Sequence, residues 1–147
     1  MSDLKQAQVF TPPHITNQMI DLLDQSLLSR KDTFFFEPTC GDGEMLVVIC
    51  ERIYKSLFEL YKDNEKALSE TIFKFYATEL DAELVIKARM KIFKWAMEKL
   101  NREASTFEQS LIALQIAQAI ENRDALKDSI PNIDPSPSMR ALKRKRV

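Results

Sequence analysis

The sequence predicts an α/β fold, in which a small parallel β-sheet is flanked by helices. Two short apolar runs rich in β-favouring residues each precede a segment whose apolar residues recur at helical spacing. Both glycines of the chain, Gly41 and Gly43, lie directly after the first of these runs. Strands that alternate with helices are typical of a parallel sheet with right-handed crossovers, and such sheets bind ligands beyond the carboxyl ends of their strands.

The first helix is predicted to follow Thr11 and to end near Arg30. Thr11 is a candidate N-cap and Pro12 a candidate first helical residue, and the apolar positions between 15 and 27 follow one helical face. Residues 33–36 are a continuous apolar run, which predicts a central strand covered on both faces.

A largely buried helix is predicted after the glycine turn, because apolar residues recur between residues 45 and 60. The polar stretch 62–70 indicates a short exposed helix or a loop. Residues 72–80 return to strand character and give the second predicted strand.

The second half of the chain repeats this alternation. Asp81 is the predicted cap of a helix whose apolar residues lie along one side between 85 and 100. Helical spacing returns between 107 and 117, and residues 119–124 form a candidate third strand that ends at Asp124.

Length and composition favour one domain. The chain has 147 residues, of which 45% are hydrophobic, enough to bury a single core. We expect that domain over residues 1–127, followed by a Pro-rich linker and basic tail over residues 128–147 that is disordered. The absence of an apolar run of roughly 18 to 20 residues and the polar N-terminus predict a cytoplasmic protein without a membrane span. Cys40 and Cys50 lack metal-ligand spacing and are expected to be reduced thiols.

The charge is unevenly distributed, although the net charge is only −1. Five cations fall within the last eight residues: Arg140, Lys143, Arg144, Lys145 and Arg146. Without them 16 basic and 22 acidic residues remain, a net charge of −6. A body this acidic does not favour a free-standing nucleic-acid-binding domain, which needs a basic face to neutralise phosphates.

The residues around the glycines indicate the kind of ligand. Glycine allows a sharp turn and close approach of a ligand to the backbone. The dinucleotide fingerprint is not met, because Leu46 stands where its third glycine should be, and no phosphate-binding lysine follows. Carboxylates at Glu37, Asp42 and Glu44 would repel a pyrophosphate but suit a cation. S-adenosylmethionine, which carries a sulfonium and an ammonium group, is such a ligand.

Glu79 ends the second predicted strand. An acid at this place in nucleotide-binding folds accepts hydrogen bonds from ribose hydroxyls. It lies 36 residues after Gly43, farther than the roughly 20 residues usual in those folds, and the polar stretch 62–70 accounts for the excess. The alternative is an ordinary acid at the start of a helix.

Three segments together resemble the N-terminal part of adenine-specific DNA methyltransferases of the gamma arrangement, which occur in restriction–modification systems and phages. They are QVFTPPHI, FFEPTCGDGEML and FYATELDAELVIKAR, in the order expected for that family. The resemblance spans roughly residues 8–126. It implies a Rossmann-like, S-adenosylmethionine-dependent methyltransferase fold with an incomplete parallel sheet flanked by helices.

The resemblance also implies roles for individual residues. The first segment resembles the F-T-P motif that contacts the methionine part of the cofactor. The second resembles D-P-x-x-G-x-G-x-F-L, which would set Glu37 opposite the methionine ammonium and both glycines beneath it; Glu in place of Asp and Met45 in place of Phe are mild departures. Cys40 within this turn has no paired histidine and is expected to pack rather than to react.

The remaining implied roles concern the nucleoside. Glu79 would accept the ribose hydroxyls, Leu80 would flank the adenine, and Asp124, in a segment NRDAL, would bind the adenine amino group. The residues expected to bind the cofactor are Phe10, Thr11, Pro12, Glu37, Pro38, Thr39, Cys40, Gly41, Gly43, Glu79, Leu80, Asp124 and Ala125.

One part of the family pattern is missing. The catalytic N-P-P-Y or D-P-P-Y loop, which holds the flipped adenine, has no counterpart; the nearest string, residues 132–137, lacks adjacent prolines and the aromatic residue. We therefore assign no catalytic residue. Without that loop nothing aligns the adenine amino group with the sulfonium methyl, so cofactor binding without methyl transfer is expected of the chain alone.

A partner chain is expected for two reasons. Contact with DNA would come through a chain that supplies the catalytic loop, and an incomplete sheet has an open edge that recruits a homo- or hetero-oligomeric partner. Two alternatives remain open: a non-catalytic, methyltransferase-like interaction or decoy protein from a phage or restriction–modification context, and a methyltransferase acting on a small molecule or a protein.

Overall fold

The computed structural model describes residues 10–127, so the predicted linker and tail lie outside the described residues. In chain order the elements are α1 (Pro13–Asp21), a 3-10 helix (Gln25–Leu28), β1 (Phe35–Glu37), α2 (Glu44–Tyr61), α3 (Asn64–Phe73), β2 (Phe75–Glu79), α4 (Ala82–Leu100), α5 (Thr106–Ala119) and β3 (Ile120–Asn122). Within residues 10–127 no helix combines the length and apolar character needed to cross a bilayer.

The three strands form one parallel sheet in the order β1-β2-β3. The α/β class and the small parallel sheet flanked by helices are therefore confirmed. Because β1, β2 and β3 are neighbours in chain order, right-handed crossovers bring both connections to the same side of the sheet. Helices α2 to α5 accordingly share one buried cluster with Phe75, Ala77 and Ile120.

Side-chain caps mark where the helices α4 and α5 begin. The predicted cap of α4 is confirmed, because the Asp81 carboxylate accepts hydrogen bonds from the amides of Glu83 and Leu84 at 2.9 and 3.4 Å. Ser105 and Glu108 form a reciprocal capping box at the start of α5. The predicted third strand is also confirmed, although it ends at Asn122 rather than at Asp124.

The first helix is shorter than expected. It begins at Pro13, with Pro12 as the N-cap residue and Thr11 outside, and it ends at Asp21 instead of near Arg30. The chain turns because Asp24 is extended and its carboxylate accepts a hydrogen bond from the Ser26 amide at 3.0 Å, which starts the separate 3-10 helix.

The prediction for residues 62–80 was wrong in part. Residues 64–73 form the helix α3, and its buried residues include Leu68 and Ile72, so β2 begins only at Phe75. Residue Lys74, which joins the two elements, is 7% exposed. Its ammonium donates to the carbonyls of Arg30 and Thr33, and the hydrogen bond to Thr33 is 2.9 Å long. The lysine thereby fixes the segment that leads into β1, which starts at Phe35 rather than at residue 33.

Candidate functional site

A pocket of about 600 Å³ opens beyond the carboxyl ends of the strands. All of the residues predicted to bind the cofactor line it except Pro12 and Gly43. Residues outside that predicted set also line it: Asp42, Glu44, Met45, Leu84, Arg123 and Leu126.

The glycine turn and the end of β2 are joined directly. Gly41 has a φ of +57°, a left-handed conformation that glycine adopts without strain. Its amide donates a hydrogen bond of 3.1 Å to Oε2 of Glu79, although the two residues are 38 positions apart. A Cβ at Gly41 would lie 2.8 Å from Cε1 of Phe10. The bare glycine therefore lets the Phe10 ring and the Glu79 carboxylate meet at one turn.

Gly43 lies where α2 begins and is not among the residues that line the pocket. It is the N-cap residue of α2 with a φ of +92°, and a Cβ there would lie 2.8 Å from Cα of Ala88. Its lack of a side chain thus allows α2 to approach the backbone of α4. Pro12 likewise caps α1 instead of lining the cavity.

A second set of hydrogen bonds holds the turn against β2. The Cys40 amide donates to the Thr78 carbonyl at 3.0 Å, and the Thr78 hydroxyl donates to the Pro38 carbonyl at 2.7 Å. The contacts between β1 and β2 therefore continue past the end of β1. The Cys40 side chain, 4% exposed, packs in the core beneath the turn as expected.

The pKa of the Cys40 thiol reflects both its burial and the negative charge of the site. Burial, followed by the negative charges of Glu79 and Glu37, raises the pKa of Cys40 to about 12. The thiol is therefore protonated at neutral pH and is not a nucleophile. The same two carboxylates make this end of the sheet electronegative.

Fewer carboxylates are available to a ligand than the sequence indicates. The Lys91 ammonium of α4 lies 2.6 Å from Asp42 Oδ2 and 3.0 Å from Glu44 Oε1. Burial alone would raise the pKa of Asp42, but the hydrogen bond from Lys91 leaves it lowered, so the pair is ionic. Glu37 and Glu79 instead accept hydrogen bonds from the backbone amides of the turn, the former from Thr39 at 3.1 Å.

The end of β3 positions the rim of the pocket. The side-chain amide of Asn122 donates to the carbonyls of Glu79 and Leu80 at 3.0 and 2.8 Å, and the Arg123 amide donates to the Glu79 carbonyl at 3.2 Å. Leu80 is held there with 70% of its surface exposed. Asp124, on the next turn, accepts a hydrogen bond from the Leu126 amide at 2.9 Å. Asn122 was not predicted from the sequence, because the residues that accept its hydrogen bonds, Glu79 and Leu80, lie more than 40 positions earlier in the chain.

The pocket has the dimensions of a small-molecule site. Pockets for small molecules are concave, largely preformed and roughly 300 to 1,000 Å³ in size. In the part of the chain that the structure describes, no group of three His, Cys, Asp or Glu side chains could hold a metal ion.

Comparison with known proteins found no matching family, curated relative or solved structure.

Proposed function

We propose that the pocket binds S-adenosylmethionine and that the chain is the cofactor-binding part of an adenine-specific DNA methyltransferase. The observation that carries the proposal is the convergence of Glu37 and Gly41 from one motif and Glu79 from another on one cavity beyond the strand ends. Such a position is where ligands bind in open α/β sheets.

The chemistry of the lining supports a cationic nucleoside. A carboxylate can accept about four hydrogen bonds, and the two that Glu79 accepts from the amides of Gly41 and Asp81 leave capacity for ribose hydroxyls. The Glu37 carboxylate would attract the methionine ammonium. Leu80 offers an exposed apolar side chain to an adenine ring.

Methyl transfer would also need a loop that holds the acceptor amine. The bound cofactor supplies an electrophilic methyl group on its sulfonium. The residues of the pocket would bind and orient the cofactor, and a partner chain would supply the loop and bind DNA.

The second candidate is a non-catalytic decoy that uses the same fold to engage a modification or restriction subunit. A methyl-transfer assay on adenine-containing DNA separates the two when the chain is combined with the product of a neighbouring reading frame. Transfer supports the split enzyme, whereas association without transfer supports the decoy. Transfer by the chain alone would contradict the need for a partner.

Calorimetric titration with S-adenosylmethionine tests the cofactor site. Glu79→Ala removes acceptors for two ribose hydroxyls, each worth about 1.5 kcal/mol or more to a charged group. The expected loss of binding free energy is about 3 kcal/mol, which is roughly a hundredfold in affinity. Glu98→Ala is the matched control, because Glu98 is exposed and lies on the part of α4 far from the pocket. This variant should bind S-adenosylmethionine like the wild type. Equal affinities for Glu79→Ala and the wild type would refute the assigned site.

A further inference from the structure

Among the described residues the outer strands β1 and β3 each have an edge without a strand beside it, and the edge of β1 adjoins an apolar groove. β1 pairs with β2, and the Phe35 amide donates to the Lys74 carbonyl at 2.9 Å. Alternate residues of a parallel strand direct their amide and carbonyl groups to opposite sides, so those of Phe36 point to the free edge. Such an edge is a template for another strand.

An apolar groove runs along this edge. It lies between α1 and β1, has a volume of about 210 Å³, and is lined in part by Met19, Leu23 and Phe36. Met19 and Leu23 are 48% and 41% exposed. Apolar side chains at a free strand edge are typical of a site that receives a strand, not of a solvated surface.

The groove continues onto the face of the sheet opposite α2 to α5, where Phe36 and Tyr76 are at least partly exposed among the described residues. The rings of Phe36 and Tyr76 stack with their centroids 5.9 Å apart, and the Tyr76 hydroxyl donates to Glu121 at 2.7 Å. Phe36 is paired with Tyr76 in register and Glu121 with Thr78, and the side chains of Phe36, Tyr76 and Glu121 lie on the side opposite the cluster shared with α2 to α5, each at least partly exposed. Parallel sheets normally have both faces covered.

A two-fold dimer cannot cover the edge and the face together. Antiparallel pairing of two β1 edges has its two-fold axis perpendicular to the sheet, so both aromatic faces stay open on the same side. An axis that packs face on face leaves both edges unpaired. The three-residue edge is also only about 10 Å long, too short to bury the roughly 800 Å² per partner of a stable interface.

We propose that this surface docks a different polypeptide, which adds an apolar strand beside β1 and lays the apolar side of a helix over Phe36 and Tyr76. The inference depends on the edge, the groove and the face, and it holds whether or not the pocket binds S-adenosylmethionine.

Fluorescence anisotropy with a labelled peptide tests strand addition. The probe is a short peptide of alternating valine and threonine with lysine at both ends, and the same peptide with a central proline is the control. Phe36→Pro removes the free amide at an edge position that tolerates proline. We expect saturable binding to the wild type, weakened about tenfold by Phe36→Pro, because the edge loses its amide donor and a carbonyl of the added strand is left without a partner. Phe36→Leu keeps the amide and should bind within about twofold of the wild type.

Two further measurements complete the test. Circular dichroism checks that the variants fold. If Phe36→Pro does not fold, Phe36→Lys, which puts a charge at the edge, is used in its place. Sedimentation of the wild type alone should give one species of 17.0 kDa. A dimer that Phe36→Pro or Phe36→Lys dissociates would identify a second copy as the occupant and overturn the proposal. Failure of the wild type to bind the probe, or equal binding by the blocked variant, would also overturn it.

Discussion

Replacing Gly43 by alanine is expected to destabilise the fold much more than the same change at Gly41. Both glycines have positive φ, +92° and +57°, so an alanine at either site costs about 1 to 2 kcal/mol of backbone strain. At Gly43 the new Cβ would also lie 2.8 Å from Cα and 3.1 Å from Cβ of Ala88. These atoms belong to α4, so relief requires separation of two packed helices, which adds about 1 to 3 kcal/mol.

At Gly41 the obstructing group is the Phe10 ring, which is 43% exposed and can turn aside. The expected losses in unfolding free energy are therefore about 2 to 5 kcal/mol for Gly43→Ala and about 1 to 2 kcal/mol for Gly41→Ala. Urea denaturation followed by circular dichroism measures both. Equal losses, or a loss below about 1 kcal/mol for Gly43→Ala, would refute the assignment of Gly43 to helix packing.

Three other predictions concern the framework of the site. Lys74→Met should lower the unfolding free energy by about 1 to 3 kcal/mol, because the carbonyls of Arg30 and Thr33 lose a buried donor; an unchanged urea midpoint would speak against that role. Asp81→Ala should lower the unfolding free energy by about 1 kcal/mol because α4 loses its cap, and Asp81→Asn should lower it much less. Equal melting temperatures for the two variants would contradict the capping role. Since burial and nearby carboxylates raise the pKa of Cys40 to about 12, iodoacetamide should label it slowly in the native state and quickly in urea, and rapid native labelling would show that the thiol is exposed or ionised.

The order of strands and helices was predictable because its signals are local. The apolar run before the glycines, the positive-φ turn and the Asp81 cap each depend on a few neighbouring residues. Parallel pairing then brings the ends of β1 and β2 together. That is why Glu79 could be predicted to lie beside the glycine turn from the sequence, and the 3.1 Å hydrogen bond to Gly41 agrees with it.

The helix α3 was harder to predict because its polar residues conceal its apolar positions. Its buried residues are Ala67, Leu68, Thr71 and Ile72, which do repeat at helical spacing. The adjoining Phe73 and Phe75 extend that apolar pattern into β2, so the boundary between helix and strand cannot be read from hydrophobicity alone.

The electrostatics of the site depend on contacts that no local pattern contains. Lys91 lies 49 residues from Asp42, yet it pairs with that carboxylate and with Glu44. This pairing neutralises two of the three carboxylates that the sequence places around the turn. The approach of Gly43 to Ala88 is equally remote in sequence. Such features follow from how α2 and α4 pack, which only the folded chain determines.

Amide chemical shifts recorded during a titration with S-adenosylmethionine report both whether the cofactor binds and where. If it binds in the pocket, saturable shifts are expected at Gly41, Glu79 and Leu80, with residues of the far part of α4 such as Glu98 unaffected. The absence of saturable shifts, or shifts confined to residues outside the pocket, would contradict the proposed cofactor site.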